Sequence, residues 1–383
     1  MKRPYLLMKR AQFWYFKLPE DTAYHSTGLR SRAAAEAWVL SRISGEDREA
    51  AKLADFAEGF FKWDGDYASR QRAKGRRFGK ANALARQRHL EQYILPAFGR
   101  RPLGSLTRPA IETWLLGLPL ANQTRNHILY TFRIVLREAV DAGLLAASPL
   151  ARVEPLGRNT RARDVFTAAE LRALFPRGPL AAVWGSRRTG TLFILLASTG
   201  IRSGEARALR WRDVLLDQRV AIVENTCIGG TTEIGPISAQ KGGSKVAILP
   251  ERTAAELEGW RKKSLWREPD DLVFPGRARG VPLGAATVSH ALPRAIARLA
   301  REAAERGSTA PVVVGGRNLV VHSFRHTWIT AMRRLLPQDT LQRLTGHHSS
   351  QVTDLYDHPR LEQLLPQLEP ARDAVEQLFM PFK

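Results

Sequence analysis

Between Ser148 and Asp164 the chain reads SPLARVEPLGRNTRARD, a run of Pro, Gly and Arg with no hydrophobic period. It separates two stretches that each have a helical period of their own, which is the pattern of a linker between domains. A chain interrupted in this way cannot close around one core, and 383 residues also exceed what a single core ordinarily holds. The expected division is a small module over residues 1–48, a helical domain over 49–150, a linker over 151–164 and a last domain over 165–383 that includes a C-terminal tail.

The module starts with strand-like YLLMK, QFWYFKL and AYHSTGL, followed by a helix that Ser31 can cap. Helical patterns then follow in EAAKLADFAEGFFKW, KANALARQRHLEQYIL, RPAIETWLLGL and QTRNHILYTFRIVLREAVDAG. In the last of these Ile128, Phe132, Val135 and Ala139 form one stripe, Asn122 can cap the start and Gly143 can end it. Between the first two helices, SRQRAKGRRFGK reads as a flexible cationic loop suited to phosphates.

Charge narrows the partners. Lys and Arg total 59 against 37 Asp and Glu, a formal charge of +22, which points to a polyanion such as nucleic acid. The single cysteine, Cys227, rules out an intramolecular disulfide and any cysteine cluster for a metal. No stretch approaches eighteen uninterrupted apolar residues, and the start does not read as a signal peptide. The expectation is a soluble, cytoplasmic protein without a membrane partner, DNA-associated if the polyanion is DNA.

The last domain opens with TAAELRALF, where Thr167 and Glu170 have capping-box spacing, and continues through apolar TLFILLAS. Strand-like RVAIVE and KVAILP flank a Gly-rich stretch, and helices resume around 253–263, 286–305 and 322–334. The fold class is therefore mainly α with small antiparallel β-sheets.

Chemistry concentrates in four places. HSFRHTWIT puts His322 and Arg325 one helical turn apart while Phe324, Trp328 and Ile329 turn into a core, a pairing suited to an oxyanion that reacts as well as binds. TGIRSGEARALR sets Arg202 after a Gly200 turn, near a helix start that itself favours anions, with Glu205 placed to orient the guanidinium. SAQKGGSKVAILP reads as a turn between strands with Lys241 and Lys245 near its tip, and its GGSK lacks the spacing of a nucleotide-binding phosphate loop. LTGHHSSQVTDLYDH places His347 nine residues ahead of Tyr356, the one tyrosine beyond Tyr130.

Taken in this order, the residues resemble the tyrosine recombinases, or phage-type integrases, whose motifs T-G-x-R-x-x-E, H-x-x-R-H and G-H with a tyrosine nine residues on are matched by Arg202, His322, Arg325, His326, His347 and Tyr356. The resemblance covers the whole last domain, and the helical segment is similar to the family's core-binding domain. It implies a multidomain architecture, a helical core-binding domain plus a mixed α/β catalytic domain. Two departures concern packing: Phe324 and Thr345 stand where the family has leucine.

The resemblance implies that Tyr356 attacks a DNA phosphodiester, which requires a phenol with an ordinary pKa of about 10 to lose its proton. His322 is the candidate base, a task that solvent or the two arginines could share. Arg202 and Arg325 would hold the non-bridging oxygens, and His347 would add a hydrogen bond. Lys241, favoured over Lys245 by its match to the family pattern, would protonate the leaving 5′ oxygen. The covalent 3′-phosphotyrosine retains the bond energy, so neither a metal nor another cofactor is expected.

The implied activity is site-specific recombination by a homo-tetramer on DNA, in the service of a mobile element, with an accessory DNA-bending or excision-directing protein as a further candidate partner. Its rivals are a type IB topoisomerase and a non-catalytic DNA-binding protein. In the tail, Leu361, Leu364, Leu365 and Leu368, then Val375, Leu378 and Phe379, make two apolar pieces interrupted by Pro366 and Pro370. Docking on a neighbouring subunit is the expectation for it, with packing onto its own domain as the alternative.

Overall fold

In the computed structural model, residues 5–19, 21–44, 51–76, 78–157, 164–237, 243–312, 315–345 and 372–373 are described. The chain forms two compact units, Met1–Thr160 and Arg161–Lys383. Among the described residues, no helix is long and apolar enough to cross a membrane.

The first unit begins with an antiparallel sheet of β1 (Leu6–Arg10), β2 (Phe13–Lys17) and β3 (His25–Ser26), in that spatial order. The Ser31 hydroxyl accepts from the Ala34 N–H at the start of α1 (Arg32–Ser44), as a cap should. Tyr5, Phe16 and Val39 are buried together, and Trp38 packs on both this small cluster and the larger helical core.

That larger core belongs to α2 (Leu53–Ala57), α3 (Asp66–Ala73), α4 (Lys80–His89), α5 (Leu95–Phe98), α6 (Arg108–Gly117) and α7 (Asn122–Asp141), with a wider helical turn over Leu90–Ile94 joining α4 to α5. Two expectations need correction here. The helix expected across 49–63 stops after α2, because Gly59 adopts φ +63°, a left-handed turn that ends it. The basic run expected as a flexible loop is half helical, since Ser69 to Ala73 lie in α3. Two of its arginines have partners outside the run: Arg70 pairs with Glu138 of α7 at 2.7 Å, and the Arg72 guanidinium lies 4.2 Å from the Trp63 ring centre.

The stripe of α7 is as expected, with Ile128, Phe132, Val135 and Ala139 all fully buried and a left-handed Gly143 at the end. Its start differs, because the Asn122 side chain donates to the Gly157 carbonyl instead of capping the helix. Asn126 brackets Leu156, accepting from its N–H at 2.8 Å and donating to its carbonyl at 2.9 Å. Leu150 and Val153 are buried in the same core, so the core of this unit includes residues from the first part of the Pro/Gly/Arg stretch.

The second unit is built around α10 (Arg187–Thr199), in which every residue from Gly190 to Thr199 is buried. Before it come α8 (Ala168–Leu174), with the expected reciprocal Thr167–Glu170 capping box, and α9 (Leu180–Trp184). After it come α11 (Ser203–Ala208), β4 (Val214–Leu215), β5 (Val220–Val223), β6 (Asn225–Cys227), β7 (Ile234–Pro236) and β8 (Lys245–Ile248). β4, β5 and β8 form one antiparallel sheet in that order, and β6 pairs with β7. The helices α12 (Glu251–Lys263), α13 (Ala285–Glu305), α14 (Val321–Met332) and α15 (Gln338–Thr345) complete it.

Phe324 on α14 is the centre of an aromatic cluster: it stacks on Phe166 at 4.5 Å between centroids and meets Phe175, Phe193 and Trp184 at 5.9, 5.8 and 6.4 Å. The ring that departs from the family's leucine is therefore accommodated by aromatic neighbours, and the Thr327 hydroxyl accepting from the Phe166 N–H ties the same helix to the start of the unit. Phe324→Ala should cost about 3–5 kcal/mol, as other buried Phe truncations do. Thermal unfolding reads this, and an unchanged midpoint would mean that α14 is seated by other contacts.

Candidate active site

α10 and α14 meet at Gly200. Its φ of +66° turns the chain out of α10, and a Cβ added there would come within 2.7 Å of the Trp328 indole ring. Only glycine gives both the left-handed turn and the close approach. Gly200→Ala should lower stability by roughly 2–5 kcal/mol, adding left-handed strain to overpacking against a rigid ring. A thermal midpoint equal to that of the wild type would contradict this.

That turn delivers Arg202 to the first position before α11, where Glu205 reaches back to it. Glu205 Oε2 accepts from the Arg202 backbone N–H at 2.7 Å, and Oε1 accepts from the Arg202 guanidinium at 2.9 Å. The carboxylate thus holds main chain and side chain of the same arginine, as the T-G-x-R-x-x-E spacing led us to expect. The arginine is about one-quarter exposed while Glu205 is almost fully buried, so the guanidinium lies at the mouth of the site and its anchor inside.

Arg325 enters from α14 and is itself only 4% exposed. One of its terminal nitrogens donates to the Gly200 carbonyl at 2.8 Å and the other to the Thr345 carbonyl at 2.9 Å. The same side chain therefore closes the C-terminal ends of α10 and α15, where free carbonyls need donors. The Thr345 contact uses main chain only, which is why a residue other than leucine serves there. Burial lowers the Arg325 pKa to about 10, and the nearby Arg202 charge adds to the effect. It remains cationic at neutral pH.

His322 lies one turn before Arg325 on α14, half-buried, with its ring edge-on to His326 at 4.8 Å. Arg202, Arg325 and His322 are thus carried by two helix starts in the same unit, with two guanidiniums close enough for each to feel the other's charge. Such a pair is relieved by an anion that both can bind, and a phosphodiester suits their paired donors.

Lys245 requires a correction. It was expected near the tip of a turn; it is the first residue of β8, 1% exposed, with its ammonium 2.5 Å from Glu205 Oε2. Burial lowers its pKa to about 8, against the pull of the Glu205 charge. For Glu205 burial opposes ionisation, but Lys245 and Arg202 outweigh it and hold the carboxyl below its ordinary range. A buried carboxylate between two cations stays ionised. The sequence signal was available, since Lys245 heads a strand that is otherwise apolar on both faces. Lys241, His347 and Tyr356 lie outside the described residues.

Residues 182–363 match the sequence model of the phage integrase family, a stretch that contains Arg202, Lys241, His322, Arg325, His347 and Tyr356. This part of the chain is a tyrosine recombinase domain. The fold agrees. The integrase of transposon Tn1549, solved with transposon right end DNA, superposes on the recombinase with a TM-score of 0.57 at 17% identity, covering 83% of this chain and 99% of that one. Lambda integrase, solved as a tetramer bound to a Holliday junction, gives 0.57 at 17% identity over 90% of this chain and 96% of that one. A lambda integrase dimer on a core site gives 0.56 at 17% over 92% and 95%. No curated protein sequence matches the recombinase. Its architecture is that of the tyrosine recombinases, mainly helical with small antiparallel sheets.

Proposed function

We propose that this recombinase is the integrase of a mobile genetic element, cutting and rejoining duplex DNA at a defined site through a 3′-phosphotyrosine. The observation that carries the reading is the pair of arginines, Arg202 and Arg325, held from two helix starts by Glu205 and by two main-chain carbonyls. They receive the scissile phosphate and stabilise the charge that grows on it.

Tyr356 attacks the phosphorus, His322 takes or shares its proton, Lys241 protonates the departing 5′ oxygen and His347 donates to the phosphate. The bond from phosphorus to the 5′ oxygen breaks as the bond to the phenolic oxygen forms, and a 5′ hydroxyl from a partner duplex reverses the step. The formal charge of +22 supplies affinity for the duplex, most of it through phosphates away from the cut. The solved lambda integrase tetramer on a Holliday junction supports a homo-tetramer here.

We assign residues 49–150 to core-site binding, 151–164 to the linker and 165–383 to catalysis. The three-stranded sheet with α1 supports a separate DNA-binding arm over residues 1–48. Deleting the arm should weaken binding to outer sites at least tenfold yet spare cleavage at the core site, and loss of both would refute it. Docking of the tail on a neighbouring subunit stays a proposal; the tail's Arg372 donates to the Gln218 carbonyl within its own unit at 3.0 Å. An accessory bending protein is a further proposed partner.

The test is covalent trapping. The full chain is incubated with fragmented DNA of its source genome, denatured with SDS, and the protein-linked ends are sequenced. Ends at one recurrent site are the expected result. Ends scattered without a shared sequence would favour a topoisomerase, and no linked ends would reduce the protein to a DNA binder.

A further inference from the structure

Arg86 and His89 lie one turn apart on α4, and the partner they share is a hydroxyl of α7. Thr131 is fully buried, and its Oγ1 lies 3.5 Å from Arg86 Nη1 and 3.2 Å from His89 Nδ1. The hydroxyl proton is already in use, because Oγ1 donates to the His127 carbonyl at 2.9 Å. Oγ1 therefore accepts from both side chains, so the neutral His89 ring carries its hydrogen on Nδ1 and its lone pair on Nε2. One turn before Thr131, His127 sets its ring nearly parallel to that of His89, with 9° between planes and 6.4 Å between centroids.

Arg86, His89 and His127 have no carboxylate partner among the described contacts. Arg86 Nε donates to the Asn82 side-chain oxygen at 2.7 Å, and His127 Nε2 lies 3.0 Å from the Gln123 amide nitrogen. Arg86 Nη2 and His89 Nε2 have no partner there, and neither is a buried atom, so both face solvent. Nearby acids are engaged elsewhere: Glu91 on the turn after α4 accepts from Gln87, and Glu138, further along α7, pairs with Arg70. Tyr67 of α3 is close to Arg86, and Arg88, next to His89 in the chain, is exposed. Burial, with help from His127 and Arg86, holds the His89 pKa below its ordinary value, so this ring is neutral at pH 7 when no anion is bound.

We propose that Arg86, His89 and His127 form a second phosphate site, on the first unit, which grips a phosphodiester of duplex DNA with the histidines protonated. The ligand is an oxyanion because the donors here are cationic or become so, with no acid among their partners. Duplex DNA is its source because the +22 charge and the proposed role of residues 49–150 both direct this unit to a phosphate backbone. Protonation of His89 Nε2 adds a second N–H without disturbing the Nδ1 bond to Thr131. His127 takes its proton with the Gln123 amide turned over, so that the amide oxygen becomes its partner. A bound phosphate favours the protonated rings, and by linkage duplex affinity is highest at acidic pH and falls as pH rises through the histidine range.

This inference rests on the reading of residues 49–150 as a DNA-binding unit, and the experiment keeps it apart from the recombinase reading. Full-length wild type, Arg86→Gln, His127→Gln and the His89→Gln/His127→Gln double variant are titrated with a labelled synthetic duplex, whose sequence is immaterial to a phosphate contact. Affinity is measured from about pH 6 to about pH 8 at several salt concentrations. Over that range the wild type should lose about tenfold more affinity than the double variant, a comparison that cancels the histidines of the second unit. At about pH 6 the wild-type dependence of log affinity on log salt should be steeper than the double variant's by about one, and at about pH 8 the two should coincide. Arg86→Gln should bind about tenfold more weakly at both limits, with a slope shallower by about one. His127 is exposed, so His127→Gln should keep the wild-type thermal midpoint and still lose about threefold of the pH effect, which leaves the test decisive even where Arg86→Gln fails to fold.

Equal pH dependence in the wild type and both histidine variants would overturn the site, as would a folded Arg86→Gln chain with the wild-type salt slope. Inorganic phosphate that raises the thermal midpoint of the wild type and not of the double variant, with duplex slopes alike in the two, would make this a site for a free anion and overturn its assignment to DNA. A wild-type chain that shows the expected pH dependence on the duplex yet forms no covalent adduct would overturn the recombinase reading and uphold the phosphate site.

Discussion

Tyr356→Phe should form no covalent protein–DNA adduct while binding the duplex within about threefold of wild type. The substitution removes one oxygen, and that oxygen is the proposed nucleophile, so no slower version of the same step remains. Affinity should hardly move, because binding to duplex DNA is dominated by many phosphate contacts and their released counterions. A denaturing gel with end-labelled DNA reads the adduct, and a filter or mobility assay reads the affinity. A Tyr356→Phe chain that still traps DNA would place the nucleophile elsewhere. A chain that loses binding as well would make this residue part of the fold and not of the chemistry.

The second large effect belongs to Arg325→Lys. Arg325 spans the Gly200 and Thr345 carbonyls with two separate nitrogens, and a guanidinium can do so while facing a third acceptor because its donors radiate in one plane. A lysine keeps the charge but concentrates its donors on one nitrogen, which cannot reach both carbonyls and the phosphate together. Losing one such donor to a developing oxyanion ordinarily costs about 10²–10³ in rate. Arg325→Lys should therefore slow single-turnover cleavage by at least about a hundredfold. Since the same nitrogens close two helix ends, the thermal midpoint should fall too, so cleavage is measured at a temperature where the variant is shown to be folded. A rate within fivefold of wild type would remove Arg325 from the phosphate site.

Much of this site was legible because it rests on local geometry. His322 and Arg325 share a helix face by their three-residue spacing, and Thr167 with Glu170 marks a helix start by the same arithmetic. Gly200 had to be a turn before Arg202, and it is. The basic run at Ser69–Lys80 misled because charge density was taken for flexibility. Arginine stems can instead pack on Trp63 and pair with Glu138, and only packing supplies those partners. Asn122 misled for a related reason: a good capping residue was drawn to the Gly157 carbonyl, 35 positions away.

From the sequence alone came the linker between two helical stretches, the mainly helical class, the expectation of a polyanion partner and the list of residues that match the recombinase motifs. The first three follow from composition and period and the last from resemblance to a family, and none requires knowing which elements touch. The tertiary structure decided what surrounds Arg202, Arg325 and Lys245. Lys245 lies 40 positions from Glu205 and Arg325 lies 125 from Gly200, separations over which no local rule operates. Whether a lysine at the head of a strand projects into water or is enclosed against a carboxylate depends on which helix covers that strand. Here α11 brings Glu205 to it, and an expected loop cation becomes the buried partner of the carboxylate that holds Arg202.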